Sequence, residues 1–230
     1  MLDHFLHLLF PHVCIICGES LRQGELHCCG SCVSRFDRFS SPPESGEVLR
    51  NTMVSRYGGK FAFAQGWCLY RFHKANPLQH ALHSMKYEGH FTVAEYFGSC
   101  LGEWMLSGGS IDGIECIVPV PLHHLKKIER SYNQAEKIAG GIGRAIGKPV
   151  RPELLQRHRW THSQTSLPAR QRRKNPEGAF RATGASMPGH VLLVDDIVTT
   201  GATMISAAKA LQKAGVGRIS LAAVALAAHD

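Results

Sequence analysis

Several things are missing from this chain of 230 residues. No apolar run approaches the ~20 residues of a bilayer-crossing helix, which argues against a membrane-spanning protein. The opening stretch, MLDHFLHLLF, has no basic leader and no small-residue cleavage site. Asp3, His4 and His7 interrupt it, so it does not read as a signal peptide, and the expected location is the cytoplasm. No internal repeat and no low-complexity tract occur. Acidic residues are few, with 18 Asp and Glu against 26 Lys and Arg, a formal charge of +8. What is present is globular: 44% of residues are hydrophobic and 19% charged, which excludes wholesale disorder, collagen and coiled coil.

The charge is concentrated. Leu122 to Arg181 holds 14 Lys and Arg against 4 Asp and Glu, so this one stretch carries more than the whole net charge. Such a field draws phosphate-rich partners, either nucleotides or nucleic acid.

Five of the eight cysteines fall within residues 14–32, as Cys14-x-x-Cys17 and, ten residues on, Cys28-Cys29-Gly-Ser-Cys32. A CxxC puts two thiolates on one tight turn, and two such turns complete a tetrahedral zinc shell. Cys14, Cys17, Cys29 and Cys32 are the expected ligands. Cys28 is a spare, and His27 is the substitute should one cysteine drop out. A disulfide framework is disfavoured without a secretion signal, and a redox CxxC would come singly. Four thiolates leave no open position, so the zinc would be structural. Cys68, Cys100 and Cys116 read as core residues.

A short amphipathic helix is expected over residues 1–10, then the knuckle, then a linker or exposed loop rich in Ser, Pro, Glu and Gly from residue 37. One or two strands are expected between Phe61 and Phe72. Helices follow from Asn76-Pro77 and from Phe91 to about Leu106. The second half alternates strand and helix: a strand at Ile114–Val120, a helix from about Tyr132 to Ile146, a buried strand at His190–Val194, a helix at Thr203–Ala214 and a strand at Arg218–Ala227. That alternation predicts an α/β fold with a parallel sheet.

The most informative segment is Val191-Leu-Leu-Val-Asp-Asp-Ile-Val-Thr-Thr-Gly-Ala-Thr203. A buried strand ends in Asp195 and Asp196. A loop of Thr199, Thr200, Gly201, Ala202 and Thr203 then opens a helix. Ligands of open parallel sheets bind at the carboxyl ends of the strands. A helix N-terminus offers amide donors to phosphate, Gly201 permits close approach, and the hydroxyls add donors. The carboxylates would repel phosphate and suit sugar hydroxyls, with Mg²⁺ nearby. Phosphate and polyol side by side describe a ribose 5-phosphate. The GxxxxGK[ST] pattern is absent.

This run resembles the phosphoribosyl pyrophosphate (PRPP) motif of type I phosphoribosyltransferases. The resemblance implies that Asp195 and Asp196, the catalytic acid pair, hold the ribose 2′- and 3′-hydroxyls and that Thr199 through Thr203 wrap the 5-phosphate. It places pyrophosphate after the first core strand, at Val120 and Pro121. Val118-Pro-Val-Pro121 with Arg130-Ser-Tyr-Asn-Gln134 is similar to the PVP…RGFNQ pattern of the ComF/GntX branch, and Lys86-Tyr87-Glu-Gly89 to its KY-x-G element. The span from Arg157 through Gln164, Leu167, Arg170, Arg173 and Asn175 to Phe180 is similar to its long loop. The double CxxC is also shared. Ser131 departs from the pattern, which often has Gly there, and the charged loop at Leu122–Glu129 is a second departure.

The resemblance implies a type I phosphoribosyltransferase-like core with a small N-terminal zinc knuckle. The expected division is a helix and four-cysteine knuckle over 1–36, a linker over 37–60 and the core over 61–230. Arg130, Asn133 and Gln134 would reach an anion in the cleft or simply cap a helix. Arg157, Gln164, Arg170, Arg172, Arg173 and Asn175 would lie on a flexible loop that closes over substrate and excludes water, or that holds single-stranded DNA. ComF-type proteins are linked to the uptake and use of exogenous DNA, which implies PRPP, single-stranded DNA and other uptake proteins as partners. The other reading is a working transferase, with pyrophosphate leaving and a nitrogen acceptor attacking.

Overall fold

The computed structural model describes residues 13–57, 62–74, 76–87, 91–109, 111–122, 131–157 and 178–227. The helix expected over residues 1–10 lies outside them. In chain order the elements are α1 (Gly30–Val33), α2 (Pro42–Tyr57), β1 (Gly66–Phe72), α3 (Pro77–Tyr87), α4 (Phe91–Ser107), β2 (Cys116–Pro119), α5 (Gln134–Ile146), a 3-10 turn (Pro152–Leu154), β3 (Leu155–Arg157), β4 (Phe180–Ala182), β5 (His190–Val198), α6 (Ala202–Lys213) and β6 (Arg218–Ala227).

Four strands form one sheet in the order β1-β6-β5-β2, and every pair is parallel. β3 and β4 form a separate antiparallel hairpin. The apolar runs read as doubly buried strands are buried: Val191 through Val194 are fully inaccessible, as are Leu221 through Ala225. β5 does not stop at the acids. Its ladder with β6 continues through Asp195↔Ala223 and Ile197↔Ala225 to Val198↔Leu226. Backbone pairing is indifferent to the side chains it carries, so Asp195 and Asp196 are strand residues near its carboxyl end.

The stretch expected to be a linker is the largest correction. Pro42–Tyr57 is a 16-residue helix, with Ser45, Leu49 and Met53 at 0–1% exposure. The signal was present in the sequence. Ser41-Pro-Pro-Glu44 is a form of capping box: Ser41 Oγ accepts from Glu44 N–H (3.3 Å) and Glu44 Oε2 accepts from Ser40 N–H (2.8 Å). The prolines sit in the first turn, where their missing N–H groups cost nothing. Ser45 Oγ also accepts from Cys68 N–H at 3.2 Å, which ties the helix to β1.

Two helices cross over the sheet unusually closely. A Cβ added to Gly98 of α4 would lie 2.2 Å from Ile138 O, and one on Gly141 of α5 would lie 2.2 Å from Glu95 O. Backbone that near leaves no space for a methyl group. Gly141→Ala should therefore destabilise by about 1–3 kcal/mol, the range for overpacking. A denaturant midpoint equal to wild type would contradict this packing.

Aromatic side chains join the cysteine-rich segment to the sheet. Phe36 meets Tyr70 edge-on at 5.2 Å, Tyr70 meets Phe97 at 6.2 Å, and His27 meets Tyr96 at 5.8 Å. The knuckle thus packs on the core and does not hang from it.

Candidate functional site

The carboxyl end of β5 carries the first half of the site. Asp195 Oδ1 accepts from Asp196 N–H at 2.9 Å, and Asp196 Oδ1 accepts from Ile197 N–H at 2.7 Å. Each carboxylate is thereby oriented by backbone. Thr199 and Thr200 follow, exposed, and Gly201 N-caps α6 at φ 77°. Residues 195 and 197–204 line one small concavity of about 30 Å³. Asp195, the hydroxyl loop and a helix N-terminus therefore share one concavity, an arrangement that suits a sugar beside a phosphate, with Asp196 next to it in the strand but not in its lining.

Gly201 has a second reason to be glycine. A Cβ there would meet Met53 Sδ at 2.2 Å. Met53, on the helix that composition disguised as a linker, lies against Gly201 of the Thr199–Thr203 loop. Sequence reading missed it, because an apolar residue spaced by helical periodicity carries no chemical signal.

The neighbouring loop comes from β2. Pro119 pairs with Val194, and Val120 N–H donates to Val194 O at 2.8 Å. Val120 and Pro121 thus sit beside the acids. Asn133 N-caps α5: its Oδ1 accepts from Ala135 N–H (3.2 Å) while its Nδ2 donates to Val120 O (3.1 Å). Gln134 is buried and donates to Met85 O at 3.3 Å, where the Tyr132 hydroxyl also donates. The amides of Asn133 and Gln134 thus tie the start of α5 to Val120 and to the end of α3. Ser131 has φ 65°, the left-handed region that glycine adopts without strain, which gives the glycine of the resembled pattern a physical reason.

Arg157 closes β3, opposite Phe180 of β4, with its guanidinium 5.3 Å from that ring. Burial lowers its pKa, and the Asp195 carboxylate works in the opposite direction. Arg157 therefore lies within reach of the charge on Asp195. Arg130, Gln164, Arg170, Arg172, Arg173 and Asn175 lie outside the described residues, as do the side chains of Lys86 and Tyr87.

The cysteine cluster forms a second site. The Sγ atoms of Cys14, Cys17, Cys29 and Cys32 all lie within 4.8 Å of one another, and Cys17 and Cys29 are 3.7 Å apart. A tetrahedron with metal–sulfur bonds of ~2.3 Å has edges near ~3.8 Å, so the four thiols could hold a metal ion. Ile15 N–H donates to His27 O at 3.0 Å, which clamps one CxxC turn to the other. Glu25 caps the second turn by accepting from Arg22 and Gly30 N–H groups. The Cys14 thiol is pushed up by burial, but N–H groups of Cys29, Cys17 and Ile16 outweigh that and bring its pKa to about 6. Cys28 is buried and outside the cluster, and burial and neighbouring thiols push it up to about 12. His27 is also outside, against Tyr96. Cys68 and Cys116 are buried, while Cys100 is half-buried.

A four-stranded parallel sheet with an acid pair and a threonine-glycine loop at its carboxyl end is the arrangement of a phosphoribosyltransferase-like fold. Residues 153–230 match the phosphoribosyl transferase domain. The chain is 26% identical over 220 residues to Competence protein F of Haemophilus influenzae, covering 92% of this chain and 96% of that one. It is 25% identical over 224 residues to Competence protein ComFC of Streptococcus pneumoniae, covering 88% and 94%. It is 29% identical over 150 residues to DNA utilization protein YhgH of Escherichia coli O157:H7, covering 64% and 66%. Over most of its length the chain is thus similar to competence and DNA utilization proteins, and its residues 153–230 match the phosphoribosyl transferase domain. Among the described residues, no helix is long and apolar enough to cross a membrane.

Proposed function

We propose that this protein binds PRPP, or a related ribose 5-phosphate, and single-stranded DNA, and that it acts on the cytoplasmic side in the uptake and use of exogenous DNA. The observation that carries the ligand reading is that Asp195, the Thr199–Thr203 loop and the α6 N-terminus line one concavity, with Asp196 adjacent in the strand. The carboxylates would take the ribose hydroxyls, with Mg²⁺ shared with the pyrophosphate beside Val120 and Pro121. Fixed amides and hydroxyls would take the 5-phosphate. The DNA reading is supported by the names of the relatives and by the positive charge of residues 122–181. The four-cysteine cluster would hold zinc as a closed structural site.

The intact acid pair also favours a second reading, a phosphoribosyltransferase acting on a nitrogen acceptor. Calorimetry of Mg²⁺–PRPP into the protein, with and without single-stranded DNA, separates the two. The expected result is PRPP binding that shifts DNA affinity. DNA affinity should fall linearly with salt on logarithmic axes, and charge reversal at Arg170, Arg172 and Arg173 should flatten the line. PRPP binding without DNA binding would return the protein to the enzyme reading, and absence of both would end the proposal.

A further inference from the structure

A groove of about 480 Å³ lies between β4 and the last turn of α6, within the ~300–1,000 Å³ range of ligand pockets. Phe180, Ala182, Ala210 and Ala214 supply its apolar floor, and Arg181 and Lys213 stand on its rim. Both cations are exposed, and no acidic residue lines the groove among the described residues. The small side chains of Ala182, Ala210 and Ala214 leave the space open above the buried Phe180. Lys213 also offsets the partial negative charge of the α6 C-terminus, which would otherwise repel an anion.

We propose that this groove seats single-stranded DNA, with a base on the floor of Phe180, Ala182, Ala210 and Ala214 and flanking phosphates on Arg181 and Lys213. The inference rests on the DNA reading above and gives it a place. Single-stranded nucleic acid is the occupant that matches an apolar floor bounded, among the described residues, by cations and no acids: it offers unpaired bases and a continuous run of negative charge. A duplex keeps its base faces stacked and has nothing to lay on the floor. The groove is distinct from the sugar site. α6 has 12 residues, about 18 Å of helix, with the phosphate loop at one end and Lys213 at the other. The two ligands therefore bind without competing for the same atoms.

The test is fluorescence anisotropy of a labelled oligo-dT of about 20 nucleotides, longer than the ~4–16 that one single-strand-binding fold covers, across a salt series. Wild type is compared with the double variant Arg181→Gln, Lys213→Gln and with Ala210→Glu. Each phosphate neutralised on a single strand contributes about 0.7 to the slope of log affinity against log salt, so the double variant should be shallower by about 1.4. Ala210→Glu puts a carboxylate on the floor and should weaken binding at least ~5-fold, since base stacking alone is worth about 1–3 kcal/mol. Mg²⁺–PRPP calorimetry on the same variants should match wild type, which checks that they fold. A double variant with the wild-type slope, or a duplex bound as tightly as the single strand, would overturn the groove assignment. A wild-type protein that binds no oligo-dT would instead overturn the DNA reading itself.

Discussion

Cys29→Ser should leave the protein without its equivalent of zinc and loosen residues 14–32. Metal binding at a structural zinc site is worth about 10–16 kcal/mol near neutral pH, and in such small units this is folding free energy. Here Cys29 has two further duties. It is the N-cap of the single turn α1, and its N–H donates to Cys14 Sγ at 3.3 Å. Serine keeps the N–H and the cap position, so the variant isolates the loss of the thiolate. The four ligand sulfurs bind metal only when deprotonated, so acidification should release zinc from wild type before the rest of the fold responds. Because Phe36 and His27 pack on Tyr70 and Tyr96, the damage should reach the aromatic cluster. A shifted tryptophan and tyrosine near-UV signal would report it. Elemental analysis is the decisive measurement. A full equivalent of zinc in Cys29→Ser, with unchanged melting, would mean that Cys28 or His27 takes over the position and that the four-cysteine assignment is wrong.

The second large effect is expected at the acid pair. Asp195→Asn with Asp196→Asn should weaken Mg²⁺–PRPP binding by a factor on the order of 10²–10⁴. Hydrogen bonds to charged groups contribute about 1.5–3 kcal/mol each, and the two carboxylates would supply one such interaction apiece to the ribose. The fold should survive. Each carboxylate accepts one backbone N–H, from Asp196 and from Ile197, and the amide oxygen of asparagine can accept the same bonds. Melting within a degree or two of wild type, together with lost calorimetric heat, is the expected pair of results. Unchanged affinity in the double variant would refute the assignment of the sugar to this strand end. A matching loss of stability would make the acids structural and leave the ligand reading without support.

The charge-bearing features were readable because their chemistry is local. Two CxxC pairs, and a hydrophobic strand ending in paired acids and a threonine-glycine loop, keep their meaning whatever surrounds them. The structure indeed gathers Cys14, Cys17, Cys29 and Cys32 into one cluster. It likewise brings Asp195 and the Thr199–Thr203 loop around one concavity. Element boundaries were less readable. β5 runs past the acids because β6 continues to pair with it, and nothing in residues 190–198 alone says how far the partner reaches. Composition pointed the wrong way at Pro42–Tyr57, where two prolines, a glycine and several polar residues mask a helix that buries Leu49 and Met53.

What the sequence by itself determined is the inventory of groups: thiols at metal spacing, an acid pair, a hydroxyl loop at a helix start, and a basic stretch. These depend on residue type and on spacing along the chain, both of which are fixed before folding. Tertiary structure alone decided which of them meet. It set Met53 against Gly201, brought Arg157 within reach of the charge on Asp195 although the two are remote in sequence, and occupied Asn133 and Gln134 with the carbonyls of Val120 and Met85. It also opened the groove between β4 and α6. The physical reason is the same in each case. Steric fit and electrostatic proximity fall off within a few ångströms, and distances of that size between remote residues exist only once the sheet has brought its strands together.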